Sequence, residues 1–208
     1  MNGSREEILA RIRSAVDGAD VPDPLVRDYR TRGVLDVDGR VALLRDRLVD
    51  YRARVVEVGE SEVGAVIGEI VGDGRIGVPP GLPDAWRPAG SVEDHGLSPT
   101  ELDGLDGVLT GCTVAIADTG TLVLSSAERE GRRALTLVPD LHVCVVFSDQ
   151  VVETVPEAFA RLAGRERHAL TFVSGPSATS DIELSRVEGV HGPRRLVVVI
   201  VSPGGGTG

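Results

Sequence analysis

Residues 108–126, VLTGCTVAIADTGTLVLSS, place two apolar runs around Asp118-Thr119-Gly120. Three more runs follow: ALTLVP at 134–139, LHVCVVF at 141–147 and RRLVVVIV at 194–201. Runs this continuous lack the polar residue at every second position that a half-solvated strand shows. They predict strands buried on both faces and a sheet core in the second half of the chain. Upstream, helices alternate with strands. Val41, Leu44, Leu48 and Tyr51 recur at helical spacing, VVEV at 55–58 follows as a short strand, and Val63, Val66, Ile67, Ile70 and Val71 mark the next helix, with Ser61 as its cap. RIGVPP reads as a strand stopped by prolines, and Ser98 with Pro99 starts a short helix. Downstream, Thr154 and Glu157 have capping-box spacing, Pro156 lies in the first turn and Gly164 stands past the end, which predicts a helix over Pro156–Ala163. ALTFVS at 169–174 is a further strand and DIELSRV at 181–187 a short helix. With 32 valines gathered in short runs between helices, the pattern is that of an α/β protein whose largely parallel or mixed sheet carries helices on both faces.

The two ends differ from this centre. Ile8, Leu9, Ile12, Ala15 and Val16 form one stripe of an amphipathic helix, and the stretch to Gly33, with Pro22 and Pro24 among charges, reads as an extended arm. The compact domain therefore spans 34–201, after an N-terminal helix and arm at 1–33, and SPGGGTG at 202–208 is expected to be a disordered tail. An isolated helix cannot bury its own stripe. It is expected to pack on the domain or on a second subunit, which would make the chain a homo-oligomer.

Composition removes several classes of function. The 208 residues suffice for one sizeable core, and 26 glycines with 12 prolines stay below the low-complexity range. All 22 positive side chains are arginine, which excludes a Walker A loop, a Schiff-base lysine and a pyridoxal-phosphate anchor. A net charge of −10 argues against nucleic acid and anionic membranes as partners. No run is long enough to span a membrane and the start MNGSREE lacks a signal peptide's regions, so a cytoplasmic protein is expected. Cys112 and Cys144 are 32 residues apart without CxxC spacing and read as core cysteines, while His95, His142 and His168 show no ligand spacing, so no metal site is expected. Gly72-Asp73-Gly74-Arg75-Ile76-Gly77 matches GxGxxG, but it follows a helix and precedes a strand, the reverse of a dinucleotide fingerprint.

Three polar stretches border the buried runs. Thr119, Gly120 and Thr121, beside Asp118, form either a tight turn or a ligand loop. Ser174, Gly175, Pro176, Ser177 and Thr179 lead into Ser180, Asp181 and Glu183; Ser180 and Glu183 have capping-box spacing, and the same hydroxyls at a helix start suit an anion cradle. His191, between Gly189 and Gly192-Pro193, is a structural hydrogen-bond partner or a proton-transfer group. Arg132-Arg133, after Gly131, reads as a hairpin turn whose guanidiniums stay solvated or clamp a carboxylate. All three stretches are expected to line one cleft.

In order and spacing, TGCTVAIADTGTLVLSS, RRALTLVPDLHVCVVF, SGPSATSDIE and GVHGPRRLVVVIV resemble the lactate-utilisation protein C family, built on the LUD domain. The likeness covers Val108–Val201 most strongly; Ala178 and Ser180 depart from the basic residue and alanine usual there. The resemblance implies a fold like that of ribose-phosphate isomerases, glucosamine-phosphate deaminases and coenzyme A transferases, with ligands at strand-end loops. It also implies a role in oxidising L-lactate to pyruvate beside iron–sulfur proteins of the same operon, which carry the clusters, so no cofactor is expected in this chain. Two functions stay open. One is an accessory subunit binding a small carboxylate through Thr119–Thr121 and Ser174–Thr179. The other is a transferase- or isomerase-like enzyme on a small anionic substrate, with His191, Asp181 or Glu183 as acid and base.

Overall fold

The computed structural model describes residues 3–18, 28–165, 168–179, 187–188 and 192–202, with 178–179 and 187–188 as backbone alone. The chain forms two compact units, Met1–Arg30 and Thr31–Gly208. The first contains α1 (Gly3–Val16), whose Ile8, Ile12 and Val16 are each more than half exposed. In the second unit α2 (Val37–Asp50), β1 (Arg54–Gly59), α3 (Val63–Val71), β2 (Ile76–Val78), β3 (Val92–Glu93), α4 (Pro99–Asp103) and β4 (Gly107–Thr110) come first. They are followed by β5 (Val114–Ile116), β6 (Thr121–Leu124), α5 (Arg133–Leu137), β7 (Leu141–Phe147), β8 (Val151–Val152) and α6 (Val155–Arg161). The chain closes with β9 (Thr171–Val173), β10 (Ala178–Thr179), β11 (Val187–Glu188) and β12 (Arg195–Ser202).

Six parallel strands in the order β1-β12-β7-β4-β2-β3 make the main sheet, with β7 and β4 at its centre. A strand's period of two explains why these runs are apolar throughout. Cys144 and Val146 of β7 join one core cluster while Val143 and Val145 join another on the opposite face. Val63 and Ile67 of α3 pack with Trp86 on that second face. On the first face Val41, Leu44 and Leu48 of α2 meet Ala115 and Leu122. Leu44 and Leu48 are wholly buried, each contributing about 1.5–3 kcal/mol of transfer free energy.

Ala115 and Leu122 belong to a second sheet, ordered β8-β5-β6-β9, in which β5 and β6 are an antiparallel hairpin. The two apolar runs around Asp118 are therefore not strands of the central sheet. Alternation along β5 sends Ala115 inward, and Val114 and Ile116 outward under Ala158 of α6. ALTLVP is also not a strand. It is largely α5, with Leu135 and Thr136 buried and Leu135 packed beside Leu102 of α4. A five-residue apolar run satisfies a buried helical turn as well as a strand, and periodicity cannot separate the two. Arg132-Arg133 consequently leads into a helix rather than turning a hairpin. Ser61 lies in a 3-10 turn, Glu60–Glu62, where the Gly59 amide donates to Glu62 Oε2 at 2.9 Å, and does not cap α3. Val187 is strand rather than helix, while the remainder of DIELSRV, 181–186, and the tail residues 203–208 lie outside the described residues.

Local signals for α6 act as expected. The Thr154 amide donates to Glu157 Oε2 at 2.9 Å and the Glu157 amide to Thr154 Oγ1 at 3.5 Å. Burial pushes the Glu157 carboxyl up, but the amides of Thr154 and Gly33 and the Thr154 hydroxyl outweigh it and hold the carboxyl below its ordinary value. The neighbouring Glu153, 3% exposed, accepts the Val34 and Leu35 amides at 2.6 and 2.7 Å and fastens the approach to α2. Thr154→Ala is expected to cost about 1 kcal/mol, and a thermal melt should show Tm lowered by roughly 2–4 °C.

Candidate functional site

The β5–β6 turn brings its hydroxyls to β9. Thr119 Oγ1 lies 2.7 Å from Thr121 Oγ1, which in turn lies 2.8 Å from Ser174 Oγ. Both turns touching here press against α2. Gly120 has φ +59°, and a Cβ there would sit 2.7 Å from Arg47 Cβ; Arg47 Nε also donates to the Asp118 carbonyl at 3.3 Å. Gly175 has φ +93°, and its Cβ would sit 2.6 Å from Tyr51 Cβ. These glycines permit a close approach of backbone to helix, which accounts for them without a ligand.

Beyond Ser174 the chain walls a cavity of about 150 Å³, lined by Gly175, Ser177, His142 and Thr136 and by the apolar Leu137 and Leu196. The Ser177 amide donates to the Pro193 carbonyl at 2.8 Å, tying this loop to the start of β12. His142 is 1% exposed, and its Nε2 lies 2.9 Å from Thr110 Oγ1 on β4. Beyond it on β7, Cys144 and the nearby Cys112 are both buried, as expected of core cysteines; burial pushes the Cys112 thiol up, whereas the Cys112 thiol and then the His142 ring hold Cys144 down.

The structure thus joins Thr119 and Thr121 to Ser174, and places Ser174, Gly175 and Ser177 on one cavity. Thr119, Gly120, Thr121 and Pro176 stand outside its wall, and Thr179 is strand β10. Asp181, Glu183 and His191 lie outside the described residues. Thr110, Thr136 and His142 escape sequence reasoning because they sit inside runs that look uniformly apolar. The available signal was a histidine second in LHVCVVF, a polar group with no solvent face to occupy.

A second concave region lies at the opposite, carboxyl ends of the main strands. The loop 125–133 fills it, turning through Ser126 at φ +57°. Glu130, 2% exposed, holds that loop by accepting from the amides of Ser125 and Ala127 and from the Thr113 hydroxyl. One depression beside the loop, about 790 Å³, is lined by Asp94, Ser126, Arg132 and Arg133. Another, about 460 Å³, is lined by Cys112, Arg129, Glu130, Gln150 and Arg165. Arg132 binds the 3%-exposed Asp94 with Nε–Oδ2 2.7 Å and Nη2–Oδ1 2.9 Å, so its guanidinium is committed to a carboxylate of this chain. Among the described residues no three His, Cys, Asp or Glu side chains gather as a metal site, and no helix is long and apolar enough to cross a membrane.

The LUD domain family model matches residues 99–201. A lactate utilization protein C from Deinococcus radiodurans is 49% identical over 201 residues, 94% of either chain. The chain belongs to the lactate utilization protein C family. Its similarity extends to a lactate utilization protein C from Bacillus velezensis, 24% identical over 84% of this chain and 83% of that one. The crystal structure of a DUF162 family protein from Deinococcus radiodurans superimposes with a TM-score of 0.72 at 40% identity, covering 81% of this chain and 99% of that chain. The matched LUD region contains β4 to β12 up to Val201, and with them the Ser174–Ser177 cavity and the 125–133 loop.

Proposed function

We propose that this lactate utilization protein acts in the cytoplasm as an accessory subunit in the oxidation of L-lactate to pyruvate, beside iron–sulfur partner proteins that carry the electrons. Its own task is to bind a small carboxylate in the Ser174–Ser177 cavity. One observation carries this reading: the Thr121–Ser174 contact at 2.8 Å joins two hydroxyl-bearing loops at the edge of a cavity that His142 also lines. Hydroxyls and an imidazole both donate and accept, which suits an acid bearing a hydroxyl or keto group. No redox group of this chain's own enters the reading. The test is lactate-dependent dye reduction by the purified partners with and without this chain. Ser177→Ala is expected to weaken the carboxylate's effect about fivefold with Tm unchanged. Equal rates with and without the chain would refute the proposal.

A second reading is favoured by the sheet topology. After β2 the chain leaves on the α3 face through Trp86, and after β4 it leaves on the α2 face through β5, so the loop 125–133 lies at a switch point where open α/β sheets bind ligands. There the chain would act as a transferase- or isomerase-like enzyme on a small anionic substrate, bordered by Arg129, which lies over the Trp86 ring, and Arg165, which donates to Ser125 Oγ at 3.0 Å. Amide shifts on titrating lactate, phosphate and coenzyme A separate the readings: changes at Ser174–Ser177 support the first, and changes at Gly111–Thr113 and 125–133 the second.

A further inference from the structure

We infer that Cys112 and Cys144 are a modification site, a thiol pair that a hydroperoxide entering the depression beside Arg165 converts into an intrachain disulfide. They are the two cysteines of the chain, and neither lines the Ser174–Ser177 cavity, so the inference stands apart from the accessory function proposed above. Both belong to one core cluster, on the face of the main sheet that α2 covers. β4 pairs with β7 as far as Thr110 opposite Cys144, and the chain then leaves the sheet through Gly111 and Cys112 toward β5. Cys144 Sγ stands 3.5 Å from the Gly111 carbonyl oxygen, against the peptide that begins Cys112. Cys112 Sγ lies 3.1 Å from the Val114 carbonyl oxygen, and the two thiols are hydrogen-bond partners of each other. Gln150 Nε2 donates to the Cys112 carbonyl at 2.5 Å and fixes this link between the two sheets.

The two sulfurs differ in access, which sets the order of events. Cys112 is 5% exposed and forms part of the wall of the 460 Å³ depression, with Gln150 and Arg165. Cys144 is wholly buried and forms no part of that wall. They also differ in charge. Burial, then Cys144 and Glu130, push the Cys112 thiol up, whereas the Cys112 thiol and then the His142 ring outweigh burial at Cys144 and hold it down. Thiolate is the reactive form of sulfur. Once the pair has lost one proton, transfer of the other from Cys112 to Cys144 puts the charge on the sulfur beside the depression. Cys112 Sγ then attacks a peroxide oxygen, the O–O bond breaks, alkoxide or hydroxide leaves, and Cys112 becomes a sulfenic acid. Cys144 Sγ attacks that sulfur; the S–S bond forms as the S–O bond breaks, and water leaves with the Cys144 proton. Each sulfur gives up one electron, and the hydroperoxide takes both.

The test treats the reduced full chain with hydrogen peroxide, alkylates the remaining thiols in denaturant and reads intact and peptide masses. Both thiols are expected to disappear together in a monomer that yields a cross-linked Cys112–Cys144 peptide pair, and dithiothreitol should restore both. Cys144→Ser should leave Cys112 as a sulfenic acid that dimedone captures. Cys112→Ser should slow the loss of the Cys144 thiol roughly tenfold, because the reachable sulfur is gone. A melt of each reduced variant checks that it folds, and the wild-type cross-link decides the matter if a variant does not. Two alkylatable thiols persisting in millimolar peroxide would overturn the inference. So would a disulfide between two chains, or a Cys144 thiol lost as fast in Cys112→Ser as in the wild type.

Discussion

Gly120→Ala is expected to destabilise the protein by about 2–4 kcal/mol, measured as a fall in the urea midpoint at unchanged slope. Two costs add. At φ +59° an alanine is in the left-handed region, worth about 1–2 kcal/mol against glycine. Its Cβ would also lie 2.7 Å from Arg47 Cβ and 3.2 Å from the Arg47 carbonyl carbon. Those atoms belong to the body of α2, which Leu44 and Leu48 hold immobile in the core, so overpacking adds about 1–3 kcal/mol. Gly90 provides the control. It has φ +76° but no atom within 4 Å of its ideal Cβ, so Gly90→Ala should show the conformational cost alone. Equal effects at the two positions would mean that the β5–β6 turn does not press on α2.

Asp94→Ala is expected to cost about 2–3 kcal/mol at pH 7 and much less in acid. The carboxylate accepts two bonds from Arg132 and the amides of Leu97 and Gly96 at 2.9 and 3.1 Å, so its removal strands several donors at once. Arg132 is 42% exposed and partly screened by water, which keeps the figure below that of a fully buried pair. Burial pushes Asp94 up, but Arg132, Leu97 and Gly96 outweigh it and hold the folded value below the ordinary 3.8. A group depressed on folding contributes stability above its unfolded pKa and loses it as pH falls through the folded one. The gap between wild type and variant should therefore be full at neutral pH and close below about pH 4. A gap that persists undiminished to pH 2 would contradict the assigned network.

Both experiments turn on pairings that are remote in sequence: Gly120 meets a helix 73 positions earlier, and Asp94 meets an arginine 38 positions later. This separates what could be read in the chain from what could not. Ser98 and Thr154 announce their helices because a cap is made within three residues, and β7 and β12 announce themselves because burial on both faces makes their runs almost continuously apolar. The turn at Gly120 was visible for the same local reason. Its purpose was not: only the packed structure shows that α2 lies against it and that Tyr51, at the end of α2, lies against Gly175. Likewise His142 was visible as a histidine, but its place beside Thr110 and on a cavity depends on the parallel pairing of β4 with β7.

By itself the sequence determined the α/β class, the buried runs, the local caps and the motifs that mark the family, since each depends on residue type and short spacing. Tertiary structure alone decided that β5 and β6 leave the main sheet, that ALTLVP becomes a helix, and that Arg132 spends its charge on Asp94. An apolar run needs only a dry partner and an arginine only a carboxylate. Which partner each finds is settled by loop closure and packing across the whole domain, and no local window contains that information.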